Sequence, residues 1–232
     1  MFVTMNNIVG SGDLGEVQRL IASAKYVDGR VTAKVENAIK NNLEMEVNEP
    51  YLKLTQILDR ALDSSGQLTD RIFPRSRTTP IINRFDTGMY YREHMDFPVQ
   101  GAVTQFGRAP GRYGQNFIRT DYSMTLFLTS PESYDGGELQ LQVGERQELV
   151  KLPAGSAVCY QTGIPHAVRP VTRGSRICAI YWFQSCIRDM NIRRTLWDLR
   201  CLQHKLERSR EPQLSAEAGM IRDNFLRYLA DI

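Results

Sequence analysis

The chain has 232 residues, 42% hydrophobic and 24% charged, enough for one good core with helical additions. Its net charge of +3 is too small to argue for nucleic acid as a partner. No apolar run reaches the roughly 20 residues of a membrane span, Met1–Gly10 does not read as a secretory signal, and Cys159, Cys178, Cys186 and Cys201 have neither zinc nor disulfide-framework spacing, so a cytoplasmic protein with reduced thiols and no membrane partner is expected.

The first zone, residues 1–78, carries helical signals. Asp13 with Glu16 forms a capping-box pattern, followed by Leu14, Val17, Leu20, Ile21 and Ala24 at helical spacing. The stretch Val27–Val47 reads as a turn at Asp28-Gly29 and then β-prone chain. A second helix is predicted from Asn48, with Pro50 in its first turn. Leu52, Leu54, Ile57, Leu58, Ala61 and Leu62 form its expected apolar face.

Residues 79–187 are β-rich. Strands are predicted over Thr79–Phe85, Tyr122–Leu128, Glu138–Val143, Gln147–Leu152, Ser156–Tyr160, His166–Pro170 and Arg176–Gln184. Turn chemistry separates them at Asp86-Thr87-Gly88, Asp135-Gly136-Gly137, Pro153-Ala154-Gly155 and Arg173-Gly174. Strands so short and so evenly punctuated indicate a sandwich or barrel, and a jelly roll avoids open edges while leaving a mouth for a ligand. Between Phe97 and Arg119, Gly101, Gly107, Pro110, Gly111 and Gly114 accompany Arg108, Arg112, Tyr113 and Arg119 without periodicity. A connection of that length beside a site reads as a lid, with a solvated surface loop as the alternative.

Residues 188–232 return to helix. Ile192, Leu196, Leu199, Leu202 and Leu206 recur at three or four, as do Leu214, Ala218, Ile221, Phe225 and Leu229 after Pro212. Both faces are expected to pack as supports or to form a homodimer contact. The predicted fold is therefore mainly β with flanking helices (α+β): a double-stranded β-helix (jelly-roll) core at 79–187, an N-terminal helical/β support region at 1–78 and a C-terminal helical region at 188–232.

Only three histidines occur, and two fall into one pattern. His94-Met95-Asp96 is followed seventy-two residues later by His166, and Arg176 comes ten residues after that. A His and a carboxylate at i, i+2 on a strand point to the same face. A distal His can close a three-ligand set with open positions opposite, which suits non-haem Fe(II). Arg176 opens an apolar strand, where a buried guanidinium requires an anion. Recognition of a co-substrate carboxylate meets that need, and so would an internal ion pair. His204 has no acidic or thiol cluster beside it in sequence and is assigned no metal role.

The chain resembles the bacterial PKHD-type hydroxylases, a prolyl-4-hydroxylase-like branch of the Fe(II)/2-oxoglutarate dioxygenases. The resemblance runs through Tyr26–Ala33, through Asn83-Arg84-Phe85 to Asp96, through Tyr134-Asp135-Gly136-Gly137-Glu138-Leu139 and Lys151–Gly155, and from His166 to Arg176. It implies that His94, Asp96 and His166 bind Fe(II), that Arg176 binds 2-oxoglutarate, and that O2 is the second co-substrate, with L-ascorbate as a family association. Phe85 stands where the family often has Tyr; Tyr91 and Tyr160 are candidates for the missing co-substrate hydrogen bond. The carboxylate of Asp96 separates the chain from related halogenases, which carry a small residue there. The implied reaction hydroxylates a C–H bond of a peptide, amino acid or small metabolite, releasing succinate and CO2. A nucleic-acid oxidative demethylase and a non-enzymatic metal-binding jelly roll are the competing readings.

Overall fold

A computed structural model describes residues 2–32, 39–101, 103–104, 107–108 and 117–231. Residues 33–38 of the β-prone stretch lie outside the described residues, and so do 102, 105–106 and 109–116 of the Phe97–Arg119 segment expected to be a lid or a surface loop, Arg112 and Tyr113 among them. Two compact units emerge: residues 1–64 with 77–183, and residues 65–76 with 184–232.

The first unit is built on two large antiparallel sheets, with three two-stranded ribbons beside them among the described residues. The larger runs, in spatial order, through the strands Phe2–Met5, Ala157–Gln161, Tyr122–Phe127, Ser175–Ser185, Ile81–Asp86, Leu43–Met45 and Tyr26–Asp28. The smaller runs through Arg146–Val150, Leu139–Val143, His166–Val168, Tyr90–His94 and Lys40–Asn41. Phe85, Phe127, Val158, Tyr160 and Cys178 from the larger sheet meet Leu139, Leu141, Val150 and Val168 from the smaller in one buried cluster. Two sheets closing over such a core make the double-stranded β-helix predicted from the spacing of turn signals.

Alternation along the strands decides what faces that interior. In Ser175–Ser185, Arg176, Cys178, Ile180 and Trp182 point inward, toward the core cluster and the cavity it surrounds. Tyr181, on the opposite face, donates a hydrogen bond to Asp59 on α2 (Glu49–Asp63) at 3.3 Å. The strand is thus covered on both faces, which is why it reads as a nearly continuous apolar run rather than as alternation.

Helix α1 (Ser11–Ser23) begins at Gly10 without a side-chain cap. The expected capping box does not form: Asp13 lies inside the first turn, where it favours the helix dipole, and Glu16 pairs with Arg19. The Asn48 side chain caps α2 by accepting from the Tyr51 N–H at 3.4 Å. The buried stripe of α2 is Tyr51, Leu54, Ile57, Leu58 and Leu62, while Leu52, expected on it, is exposed. Leu52 lies one residue, about 100°, around the helix from Tyr51, and the aromatic side chain takes the inner position.

In the second unit, α3 (Gly66–Ile72) is capped by Ser65 and spans too few residues for periodicity to reveal it. The remaining helices are α4 (Met190–Arg208) and α5 (Pro212–Leu229). Phe73, Ile187 and Leu196 form the unit's core, with Ile192, Leu226 and Leu229 packed against it. Arg200 pairs with Asp70 at 2.9 Å, and the Arg71 guanidinium lies 3.8 Å from the centre of the Trp197 ring. The predicted apolar face of α5 packs only in part: Ala218 is buried and Leu229 lies against the core. Leu214, Ile221 and Phe225 are exposed, and the buried residues are Ser215, Ala218 and Gly219. Among the described residues no helix is long and apolar enough to cross a membrane.

Candidate active site

His94 ends the strand Tyr90–His94 and sits directly across from His166 in the antiparallel ladder. Asp96 is not on that strand: the strand stops at His94, and the carboxylate reaches the same side from the connecting chain. The neighbouring His94 and Asp96 and the distant His166 offer ligand atoms that all lie within 4.8 Å of one another. His166 Nε2 is 3.7 Å from Asp96 Oδ2.

Each imidazole is held by the backbone two residues before it. Nδ1 of His94 lies 2.8 Å from the Arg92 carbonyl oxygen, and Nδ1 of His166 lies 2.9 Å from that of Ile164. A carbonyl can only accept, so each Nδ1 carries the proton and each Nε2 keeps its lone pair. Burial, followed by the neighbouring His166, pulls the His94 pKa down to about 4, keeping it in the neutral form that can donate to a metal. Asp96 accepts a 2.6 Å hydrogen bond from Ser123 Oγ, which lies 3.2 Å from Thr162 Oγ1. Tyr91 stacks on His94 with ring centroids 3.6 Å apart, and Tyr160 presents its edge to His166 at 5.0 Å.

The same cavity, about 170 Å³, is lined by the two histidines, Asp96, Tyr91, Tyr160 and Arg176. Arg176 is 1% exposed, and its guanidinium lies 5.4 Å from the Phe85 ring centre and 5.3 Å from that of Phe127. None of its three nitrogens has a hydrogen-bond partner among the described residues. The internal ion pair that could have explained a buried cation is therefore absent among them. Tyr134 is fully buried, and its hydroxyl is likewise without a partner. Gly137 explains how the two come together. At φ +65° it allows an approach in which an added Cβ would lie 3.1 Å from Arg176 Cδ and 3.2 Å from Tyr134 Cε2. Burial raises the Tyr134 pKa, so the hydroxyl keeps its proton to donate.

Sequence reasoning named His94, Asp96, His166, Arg176, Tyr91 and Tyr160, and all six line this one cavity. His204 pairs with Glu207 on α4. Sequence reasoning missed Ser123, Tyr134 and Lys40. Ser123 and Thr125 alternate with Met124 and Leu126, so polar residues on the inner face of a buried strand were a usable signal. Lys40 lines the cavity wall, buried in an ion pair with Glu44. Its strand has two residues, too short for any pattern.

Comparison with known proteins gives the same architecture. Residues 80–184 match the 2OG-Fe(II) oxygenase superfamily. A PKHD-type hydroxylase of Gluconacetobacter diazotrophicus is 37% identical, the match covering 86% of this chain and 85% of that one. Another, from Xanthomonas campestris, is 33% identical, with 100% of both chains covered. The solved prolyl hydroxylase of Trichoplax adhaerens, in complex with a hypoxia inducible factor oxygen degradation domain peptide fragment, shares the fold: TM-score 0.56, 18% identity, 78% of this chain and 82% of that one.

Proposed function

The chain belongs to the PKHD-type hydroxylases of the 2OG-Fe(II) oxygenase superfamily, and from that premise we propose that His94, Asp96 and His166 hold its Fe(II) and that Arg176 holds the distal carboxylate of 2-oxoglutarate. The donor set fits the ion: two neutral imidazoles and one carboxylate on one side leave positions free on the other. Arg176 is the observation that carries the co-substrate assignment. A buried guanidinium whose three nitrogens are unpaired among the described residues is strongly unfavourable until a carboxylate meets it, and its planar fork matches that group bidentately.

When bound, Fe(II) and 2-oxoglutarate supply the oxidative chemistry, in which O2 gives one atom to succinate as CO2 leaves and the other to a substrate C–H bond. The chain's residues supply position. The two carbonyls behind the histidines fix their tautomers, and Ser123 fixes the rotamer of Asp96. The Tyr134 hydroxyl shares the co-substrate carboxylate with Arg176, a role given in sequence to Tyr91 or Tyr160. Those two remain candidates for the inner end of the co-substrate, beside the imidazoles they touch. The wall bearing Lys40 and Asn83 faces the substrate, a peptide, amino acid or small metabolite. L-Ascorbate would rescue iron oxidised without productive turnover, and a reducing cytoplasm would suit a ferrous site.

The hydroxylase relatives favour this reading over a nucleic-acid demethylase or a non-enzymatic metal binder. The test is anaerobic loading with Fe(II) and 2-oxoglutarate, then oxygen exposure against a library of peptides and metabolites. Succinate formed in step with a hydroxylated library member is expected. Iron and 2-oxoglutarate bound together, with no succinate across a wide panel, would count for the metal-binder alternative.

A further inference from the structure

Helix α5 sets Leu226 and Leu229 against the unit's core, buries three small residues along α4, and turns four large apolar residues outward. Ser215, Ala218 and Gly219 are buried. Gly219 lies so near α4 that a Cβ on it would come 3.1 Å from Gln203 Nε2. Leu214 is 48% exposed, Ile221 49%, Phe225 47% and Tyr228 88%. A helix that only supported a core would keep these four covered as well.

The outward residues have a period. Leu214, Ile221, Phe225 and Tyr228 follow one another at seven, four and three, a spacing compatible with a two-helix seam. At about 100° per residue they fall within a stripe roughly 60° wide. The charged side chains of α5 lie at or beyond its edges, and Arg222 turns toward α4, donating from Nη1 to Gln203 Oε1 at 3.2 Å. An uncharged apolar stripe of four helical turns is larger than a monomer's scattered surface residues account for.

We propose that this stripe is a homodimer interface, with α5 packing on α5 of a second copy of this chain. The stripe is complementary to itself. Ile221 is seven residues from both Leu214 and Tyr228, so a two-fold axis through it sets Leu214 against Tyr228 of the second copy. The same operation sets Ile221 against its own copy, and it opposes the two helix dipoles. From the exposures above, each stripe offers roughly 500 Å² of apolar surface; two together approach the ~1,000 Å² that a specific interface requires. The inference is independent of the iron site.

The test is sedimentation of the full chain from about 1 to 100 µM, wild type against Ile221→Glu and Phe225→Glu. A wild-type dimer is expected, with each variant weakening association at least ~100-fold while circular dichroism is unchanged. A wild type that stays monomeric throughout overturns the proposal, because the stripe then serves another occupant or the chain itself. A dimer indifferent to both variants also overturns it, by placing the interface elsewhere. Should both variants unfold, oxidised Ile221→Cys decides: a disulfide-linked dimer absent from the wild type supports the proposal, and its absence refutes it.

Discussion

The cavity of the jelly roll and the outer face of α5 depart from ordinary burial in opposite senses. The cavity hides Arg176, a cation with no anion beside it among the described residues; α5 exposes Leu214, Ile221, Phe225 and Tyr228 while burying serine, alanine and glycine. Neither arrangement is favourable in an isolated chain. A buried guanidinium gives up water for nothing, and an exposed apolar stripe orders water without reward. Each is accounted for by a missing complement, a carboxylate in one case and an apolar surface in the other. The lesson is that unfavourable local physics, read with its sign, names the chemistry of the partner.

The largest expected effect breaks the cavity's half of that comparison. His94→Ala or His166→Ala should lower bound iron to background and reduce succinate formation at least ~1,000-fold, measured by metal analysis and turnover. Normal iron content in either variant would remove that histidine from the site.

Next comes acid sensitivity. Folding depresses the His94 pKa from 6.5 to about 4, so between those values the unfolded chain binds the proton more readily. The metal-free protein should hold this contribution in full above pH 6.5 and lose it as the pH falls toward 4, by about 3 kcal/mol in all. Denaturant midpoints against pH should show that slope, and His94→Gln should flatten it.

Arg176→Met sharpens the contrast further, because its two effects have opposite signs. Without co-substrate it should stabilise the fold by about 2 kcal/mol, since an unpaired buried cation becomes an apolar chain of similar length. With saturating 2-oxoglutarate the wild type should regain the advantage. Thermal melts with and without co-substrate read both, and destabilisation in the two conditions alike would mean that Arg176 is structural.

Tyr134→Phe is the mildest. Removing one hydroxyl should raise the KM for 2-oxoglutarate about fivefold, near 1 kcal/mol, with little change in kcat or iron content. An unchanged KM would return the second carboxylate contact to Tyr160 or Tyr91.

Much of the site was legible because its chemistry is unusual. Three histidines, one H-x-D triplet and an arginine opening an apolar strand left few readings, and the turn residues punctuated the strands that carry them. Asp96 illustrates the limit. It was placed on a strand by i, i+2 logic, yet the strand ends at His94, because pairing with His166 goes no further. Leu52 and Leu214 illustrate another: a helical period shows that an apolar stripe exists, while the neighbouring chain decides whether Tyr51 or Ser215 occupies the packed face. Tyr134 was visible within Tyr134-Asp135-Gly136-Gly137, but its role depends on the approach that Gly137 allows to a strand thirty-nine residues away.

The central claim is that three protein ligands and one guanidinium converge on a single iron and its co-substrate. Anaerobic titration of 2-oxoglutarate into Fe(II)-loaded protein tests it most directly, comparing wild type with Arg176→Ala at matched iron content. We predict one co-substrate bound per chain, dependent on iron, with affinity at least ~100-fold weaker in the variant. Equal affinity in the two proteins, or binding indifferent to iron, would contradict the account.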